Sequence, residues 1–345
     1  MAATHEATLL QGDCLEVLGG LEAASVDAIV TDPPYGIGIK HLRWDAQAIQ
    51  EAAARPGGKR MSRRKAFEVW CSMWGAESAR VLKPGGQLLA FGSPRTAHRL
   101  AVGLEEGGLE VRDTFCWLYG TGLPASHKLA GGKGTTLKPA YEPILLCRRA
   151  LDGTTAATIE RHGTGALEID ACRIDGRHPA NVLLSHEGDC SSQSCAPGCA
   201  VAQLDAGESH GASTAASRPS RFFYCAKVSR RERDAGCGHL PAVFFDLFPN
   251  APNKPARTAP SPNPHPTVKP IELMRWLVRL VTPPGGLVLD PFCGSGSTGA
   301  AAVLEGRRFI GVELSPEYVQ IAAARIGHWA PGEGMVDCSP LGGRR

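Results

Sequence analysis

Short apolar runs bounded by glycine- and proline-rich turns lie near both ends of the chain, with stretches of helical periodicity between them. Residues 9–10, 27–31 and 87–91 read as strands near the start, and residues 287–289 and 308–314 as strands near the end. Residues 64–81 predict a helix ended by the turn "LKPGG", and residues 298–305 and 316–326 predict two more. Too little chain follows Glu313 to finish a doubly wound sheet, so the missing strands must come from the front. The pattern predicts an α/β fold in circularly permuted order.

The middle breaks this pattern. Gly, Ser, Ala, Pro and Arg dominate residues 150–264, with short apolar pieces at 181–184 and 221–228. Its last part, "FPNAPNKPARTAPSPNPHP", must be loop or linker. The expected organisation is therefore residues 1–149, an insert at 150–264, residues 265–330, and a tail at 331–345.

With 345 residues, 43% hydrophobic and 21% charged, the chain can bury a real core. A net charge of +3 permits a polyanion partner without demanding one. The basic residues cluster, however, at Arg60, Arg63, Arg64 and Lys65, at Arg148 and Arg149, at Arg218 and Arg221, and at Arg230, Arg231 and Arg233. Such clusters either follow a phosphate backbone or are solvated loop charge. No signal segment or membrane-spanning apolar run is evident, so the twelve cysteines are expected as thiols or metal ligands in a cytoplasmic, reducing setting.

Two stretches carry chemistry. "TDPPYG" takes the strand at 27–31 out through Asp32, Pro33, Pro34 and Tyr35, an arrangement poor in backbone donors. The other is "DPFCGSGSTGAA", in which Gly294, Gly296 and Gly299 fit a β-α-β nucleotide loop, with Glu313 placed for two ribose hydroxyls. A dinucleotide enzyme is the obvious competitor. Against it, Asp290 and the Pro291–Phe292 pair sit where a pyrophosphate would need neutral backbone. A cationic or zwitterionic ligand without phosphate, such as S-adenosylmethionine, suits those charges.

Together these stretches resemble the β-class, permuted amino-group DNA methyltransferases. "LLQGDCLEVL", "LKPGGQLLAF", "KPAYEPILLCRR" and "HPTVKPIELMRWLV" extend the likeness over residues 9–149 and 264–326. The resemblance implies a Rossmann-like S-adenosylmethionine-dependent methyltransferase fold with an inserted target-recognition region. It implies that the Asp32 carboxylate and the Pro33 carbonyl accept the two N–H groups of a base amine, freeing its lone pair, while Tyr35 stacks on a base flipped out of double-stranded DNA. It places Asp13 and Cys14 by the adenine of the cofactor and Glu313 on its ribose. Phe292 to Gly296, with Pro291 and Thr298 flanking, lies under the methionine part. Thr267 and Lys269 meet its carboxylate and Asp290 its ammonium. Asp13 also suits a helix cap, and Lys269 a surface lysine.

An aspartate at position 32 leans towards adenine N6, with cytosine N4 the alternative. An RNA methyltransferase and a non-catalytic DNA-binding protein are more remote readings, and the chain works as a monomer or homodimer. A partner endonuclease, as in restriction–modification, is not readable from the chain. In the insert, His186, Cys190, Cys195 and Cys199 could close a zinc site, with Cys225 or Cys237 as substitutes for His186, or they are free loop thiols. Phe222, Phe223 and Tyr224 among the arginines suit either base stacking or a half-buried strand. Residues 43–61, with Trp44, are either a loop that closes over the base or a surface excursion.

Overall fold

A computed structural model describes residues 6–38, 43–45, 47–54, 61–119, 129–174, 176–186, 199, 224–226, 228–244, 260–331 and 336–340. Among these, ten strands form one mixed sheet. They are β1 (Ala7–Gln11), β2 (Val26–Thr31), β3 (Leu82–Phe91), β4 (Leu109–Leu118), β5 (Tyr141–Arg149), β6 (Val182–His186), β7 (Tyr224–Ala226), β8 (Leu287–Asp290), β9 (Arg308–Glu313) and β10 (Val336–Pro340). Their spatial order is β10-β1-β9-β8-β2-β3-β5-β4-β6-β7. The run from β10 to β3 is parallel. β5 lies antiparallel to both β3 and β4, and β6 and β7 continue parallel to β4.

The helices are α1 (Cys14–Gly20), α2 (Gln47–Ala52), α3 (Arg63–Val81), α4 (Ala97–Glu106), α5 (Thr155–His162), α6 (Arg230–Arg233), α7 (Ile271–Val281), α8 (Ser297–Leu304) and α9 (Pro316–Trp329). The central strands are mostly apolar because both faces are covered. Side chains alternate between two cores: Ala28, Val30, Leu89 and Phe91 face the layer of α7, α8 and α9, whereas Ile29, Leu88 and Ala90 face α1 to α4. Helix starts follow from the sequence. Ser62 caps α3 by accepting from the Lys65 N–H, and Ser315 caps α9, with Pro316 in the first turn.

Three features differ from the sequence expectation. The ladder of β3 begins at Leu82, so the expected turn lies inside the strand, where Gly85 adopts φ +76°. The insert is joined to the sheet, since β6 and β7 extend its edge from β4. The tail supplies β10, whose Val336 pairs with Ala7 of β1.

The switch in topology positions the site. β2 leads through α3 to β3 on one side, and β8 leads through α8 to β9 on the other. The connections diverge between β2 and β8 and open a crevice at the strands' carboxyl ends. Among the described residues no helix is long and apolar enough to cross a membrane.

Candidate active site

A cleft of about 250 Å³ opens at this switch point, walled by the ends of β1, β2, β8 and β9 and covered by Trp44 and α2. Every residue expected at the catalytic and cofactor positions lines it except Gly296. Gly296, at φ +77°, instead precedes α8, where a Cβ would meet the Ala322 backbone at 2.9 Å. Its place is a close approach of two elements rather than a ligand contact.

The catalytic stretch leaves β2 into a dense polar cluster. The Tyr35 hydroxyl lies 2.8 Å from Asp32 Oδ1 and 2.9 Å from Glu142 Oε2. Lys269 Nζ donates to Asp32 Oδ2 at 2.6 Å and stands 3.3 Å from both Glu142 Oε2 and the Tyr35 oxygen. The same ammonium lies 4.8 Å from the centroid of the Phe91 ring. Burial pushes Asp32 up, with Lys269 pulling against it. Burial also acts on Lys269, but Asp32 and Glu142 outweigh it and hold the ammonium protonated. Burial and the two carboxylates raise Tyr35, so it remains a phenol. Thr96 pins the backbone by donating to the Tyr35 carbonyl at 2.7 Å.

Lys269 is thus engaged with Asp32 and Glu142, a different set of partners from the cofactor carboxylate expected from the sequence. Asp290 is also largely occupied. Thr31 and Thr298 hydroxyls each donate to it at 2.6 Å, and burial pushes it up to about 6. Asp13 caps α1 through the Leu15 N–H at 2.9 Å while still lining the cleft, so cap and cleft positions coincide. Glu313 accepts from the Gly294 and Ser315 N–H groups at 2.9 and 2.8 Å, which fixes its carboxylate at the end of β9. Phe292 lines the cleft and also packs on Trp70 and Trp74, each at 5.4 Å between centroids. Burial raises the Cys14 and Cys293 thiols, so neither is a thiolate nucleophile at neutral pH.

Three contributors were not singled out from the sequence. Glu142 enters the cluster from the start of β5, where an acid before Pro143 interrupts an apolar strand. Asp45 is buried and accepts from the Gly36 and Gly38 N–H groups at 2.7 and 2.8 Å, tying the segment after Tyr35 to residues 43–45. His265 sits against Gly294 and Tyr318, and burial drives it to about 3, leaving a neutral ring. Arg233 donates to the carbonyls of Asn263 and His265 and so fixes the approach to Thr267. Other clustered arginines also bind the protein itself. Arg148 pairs with Glu110, Arg149 donates to the Leu82 carbonyl, and Arg230 donates to the Pro260 carbonyl.

The expected zinc ligands are not brought together by anything described. Cys190 and Cys195 lie outside the described residues, as do Arg60, Arg218, Arg221, Phe222 and Phe223. Cys199 and Cys237 are buried. Among the described residues no three His, Cys, Asp or Glu side chains cluster to hold a metal.

The chain is similar to known proteins over most of its length. Residues 26–324 match the N6_N4_Mtase model, described as DNA methylase. The DNA adenine methyltransferase YhdJ of Escherichia coli (strain K12) is 26% identical over 92% of this chain and 82% of its own. The type II methyltransferase M.HindIII of Haemophilus influenzae is 24% identical over 92% and 94%. In fold, the PvuII cytosine-N4-specific DNA methyltransferase superposes with TM-score 0.57 at 17% identity, covering 94% of this chain and 88% of that one. TTHA0409 of Thermus thermophilus, in complex with S-adenosyl-L-methionine, gives 0.51 at 20% identity, covering 98% and 100%. With the model spanning most of its length, the chain belongs to the N6_N4_Mtase family of DNA methylases.

Proposed function

We propose that the chain transfers a methyl group from S-adenosylmethionine to the N6 amine of an adenine flipped out of double-stranded DNA. The observation that carries this is the placement of Asp32 and Pro33 on the rim of the same cleft that holds Asp13 and Glu313. An amine acceptor and a diol acceptor therefore face one space.

The residues fit the cofactor. Among the described residues the cleft presents carboxylates and a glycine loop, and its one lysine is neutralised by two acids, so a phosphate finds no free cation there while a sulfonium and an ammonium find anions. Glu313 would hold the ribose hydroxyls, Asp13 the adenine amine, and the loop from Pro291 to Ser295 the methionine end. When bound, the cofactor supplies an electrophilic methyl on a cationic sulfur. Asp32 and the Pro33 carbonyl accept the two amine hydrogens and draw the nitrogen lone pair out of the ring. The fixed φ of Pro34 and the Thr96 bond to Tyr35 hold these acceptors still, so positioning and electrostatics supply the rate. Residues 150–264 carry target recognition, with Arg231 exposed on α6 as one candidate contact.

Adenine is favoured by the aspartate at position 32 and by the name of the E. coli relative; cytosine N4 uses the same clamp and is the second reading, suggested by the PvuII fold. Expression in cells lacking their own base methylation, followed by single-molecule sequencing of their DNA, separates them. N6-methyladenine at one short motif is expected. N4-methylcytosine would overturn the base assignment, and unmodified DNA from cells holding folded protein would overturn the reaction.

A further inference from the structure

Methyl transfer leaves one proton too many on the base amine, and the cluster around Tyr35 has the geometry to take it away. Resting on the function proposed above, we infer that Asp32, the Tyr35 hydroxyl and Glu142 form a proton relay that carries the amine proton from the cleft to solvent.

One hydroxyl hydrogen faces two carboxylates. The Tyr35 oxygen is 2.8 Å from Asp32 Oδ1 and 2.9 Å from Glu142 Oε2, so either acid can accept its proton while the other donates to its oxygen. The balance is complete. As the amine nitrogen forms its bond to the methyl carbon, the sulfur–carbon bond breaks with its electron pair left on sulfur, and the nitrogen becomes cationic. An N–H proton passes to Asp32. Asp32 then donates through Oδ1 to the Tyr35 oxygen, whose own proton moves to Glu142 Oε2. Asp32 is again a carboxylate, Tyr35 again a phenol, and Glu142 is neutral until it loses the proton to water.

The neighbours give this path its direction. Lys269 Nζ is 2.6 Å from Asp32 and 3.3 Å from Glu142, so its charge favours an ionised Asp32 with the proton on Glu142. The Glu142 side chain is 20% exposed, which gives the proton an exit. Among the described residues the other titratable group facing Glu142 is Tyr119, which burial and then Glu142's charge raise and whose hydroxyl hydrogen-bonds Glu142. Glu142 touches neither amine nor cofactor by this scheme; it acts through Tyr35.

Single-turnover methylation of DNA carrying the chain's own recognition motif tests the relay. The protein is compared with Glu142→Gln, Glu142→Asp, Tyr35→Phe and the double variant Tyr35→Phe/Glu142→Gln. Binding of S-adenosylhomocysteine by calorimetry reports on folding independently of turnover. Glu142→Gln keeps an acceptor for Tyr35 and Lys269 but cannot take a proton. Its rate is expected to fall at least tenfold with cofactor-product affinity unchanged, and Glu142→Asp to recover most of the loss. Tyr35→Phe keeps the ring and should fall as far, and the double variant no further than the worse single. Losses that multiply in the double variant, or a Glu142→Gln rate within twofold of the parent, would overturn the relay while leaving the methyltransferase function standing. A parent protein that transfers no methyl to DNA would overturn both.

Discussion

β2 and β8 leave the sheet side by side and in the same manner, each through an aspartate followed by a proline. Their acids nonetheless meet opposite surroundings. Asp32 is held by an ammonium, a phenol and, through them, a second carboxylate. Asp290 is held by two threonine hydroxyls and the Phe292 N–H. Burial pushes both acids up, but only Asp32 has a cation beside it to oppose the shift. The acid facing the cleft is thereby opposed in its upward shift by a full positive charge, whereas the one that knits two strand ends together is met by neutral donors alone.

The comparison is broken most severely at Asp32. Asp32→Ala should lower methyl transfer a thousandfold or more with S-adenosylhomocysteine affinity changed less than threefold, as measured by radiolabel incorporation and calorimetry. Asp290→Ala is expected to damage folding as well as turnover, and identical behaviour of the two would remove the distinction. Next comes Lys269→Met. It strands Asp32 and Glu142 without their cation, and urea unfolding should show a loss of about 3–5 kcal/mol at neutral pH.

The third effect is read against pH. The native state keeps a proton on Asp290 up to about 6, whereas the unfolded chain releases it near 3.8. Between those values the native state binds more protons, so this group's contribution to stability falls as pH rises, by about 3 kcal/mol across the window. Asp290→Asn should abolish that component, and parallel unfolding profiles for parent and variant would contradict it. Smallest is Thr31→Val, expected to cost about 1–2 kcal/mol at pH 7, where Asp290 is ionised and loses one donor.

The strand ends were legible in the sequence because each joins an apolar run to a proline or glycine turn. Asp32 and Asp290 could be placed from that alone and Glu313 from the end of the next apolar run, and residues far apart in the chain came together through the permuted order. The partners of those acids were not legible. Whether Lys269 faces Asp32 or a ligand depends on how the segment from Asn263 to Thr267 is held, and Arg233 of α6, from another part of the chain, holds it by donating to the Asn263 and His265 carbonyls. Glu142 and Asp45 were hidden for a related reason: each is a single acid in a segment whose pattern describes only its own element. β6 and β10 were not read as strands, and β7 lies where a strand was only one of two readings, because three to five residues leave almost no periodic signal.

The permuted order also sets a timetable for the ribosome. Asp32 is synthesised early, but Asp290 and Glu313, which complete the crevice, come 258 and 281 positions later in the chain. At about 5–20 residues per second, the interval is on the order of tens of seconds. Throughout it β2 lacks the neighbour β8 that covers its open edge, and β1 lacks both β9 and β10. The nascent protein therefore carries Asp32 and Tyr35 through that interval without the opposite wall of the crevice, which is closed only once β8 and β9 have been made.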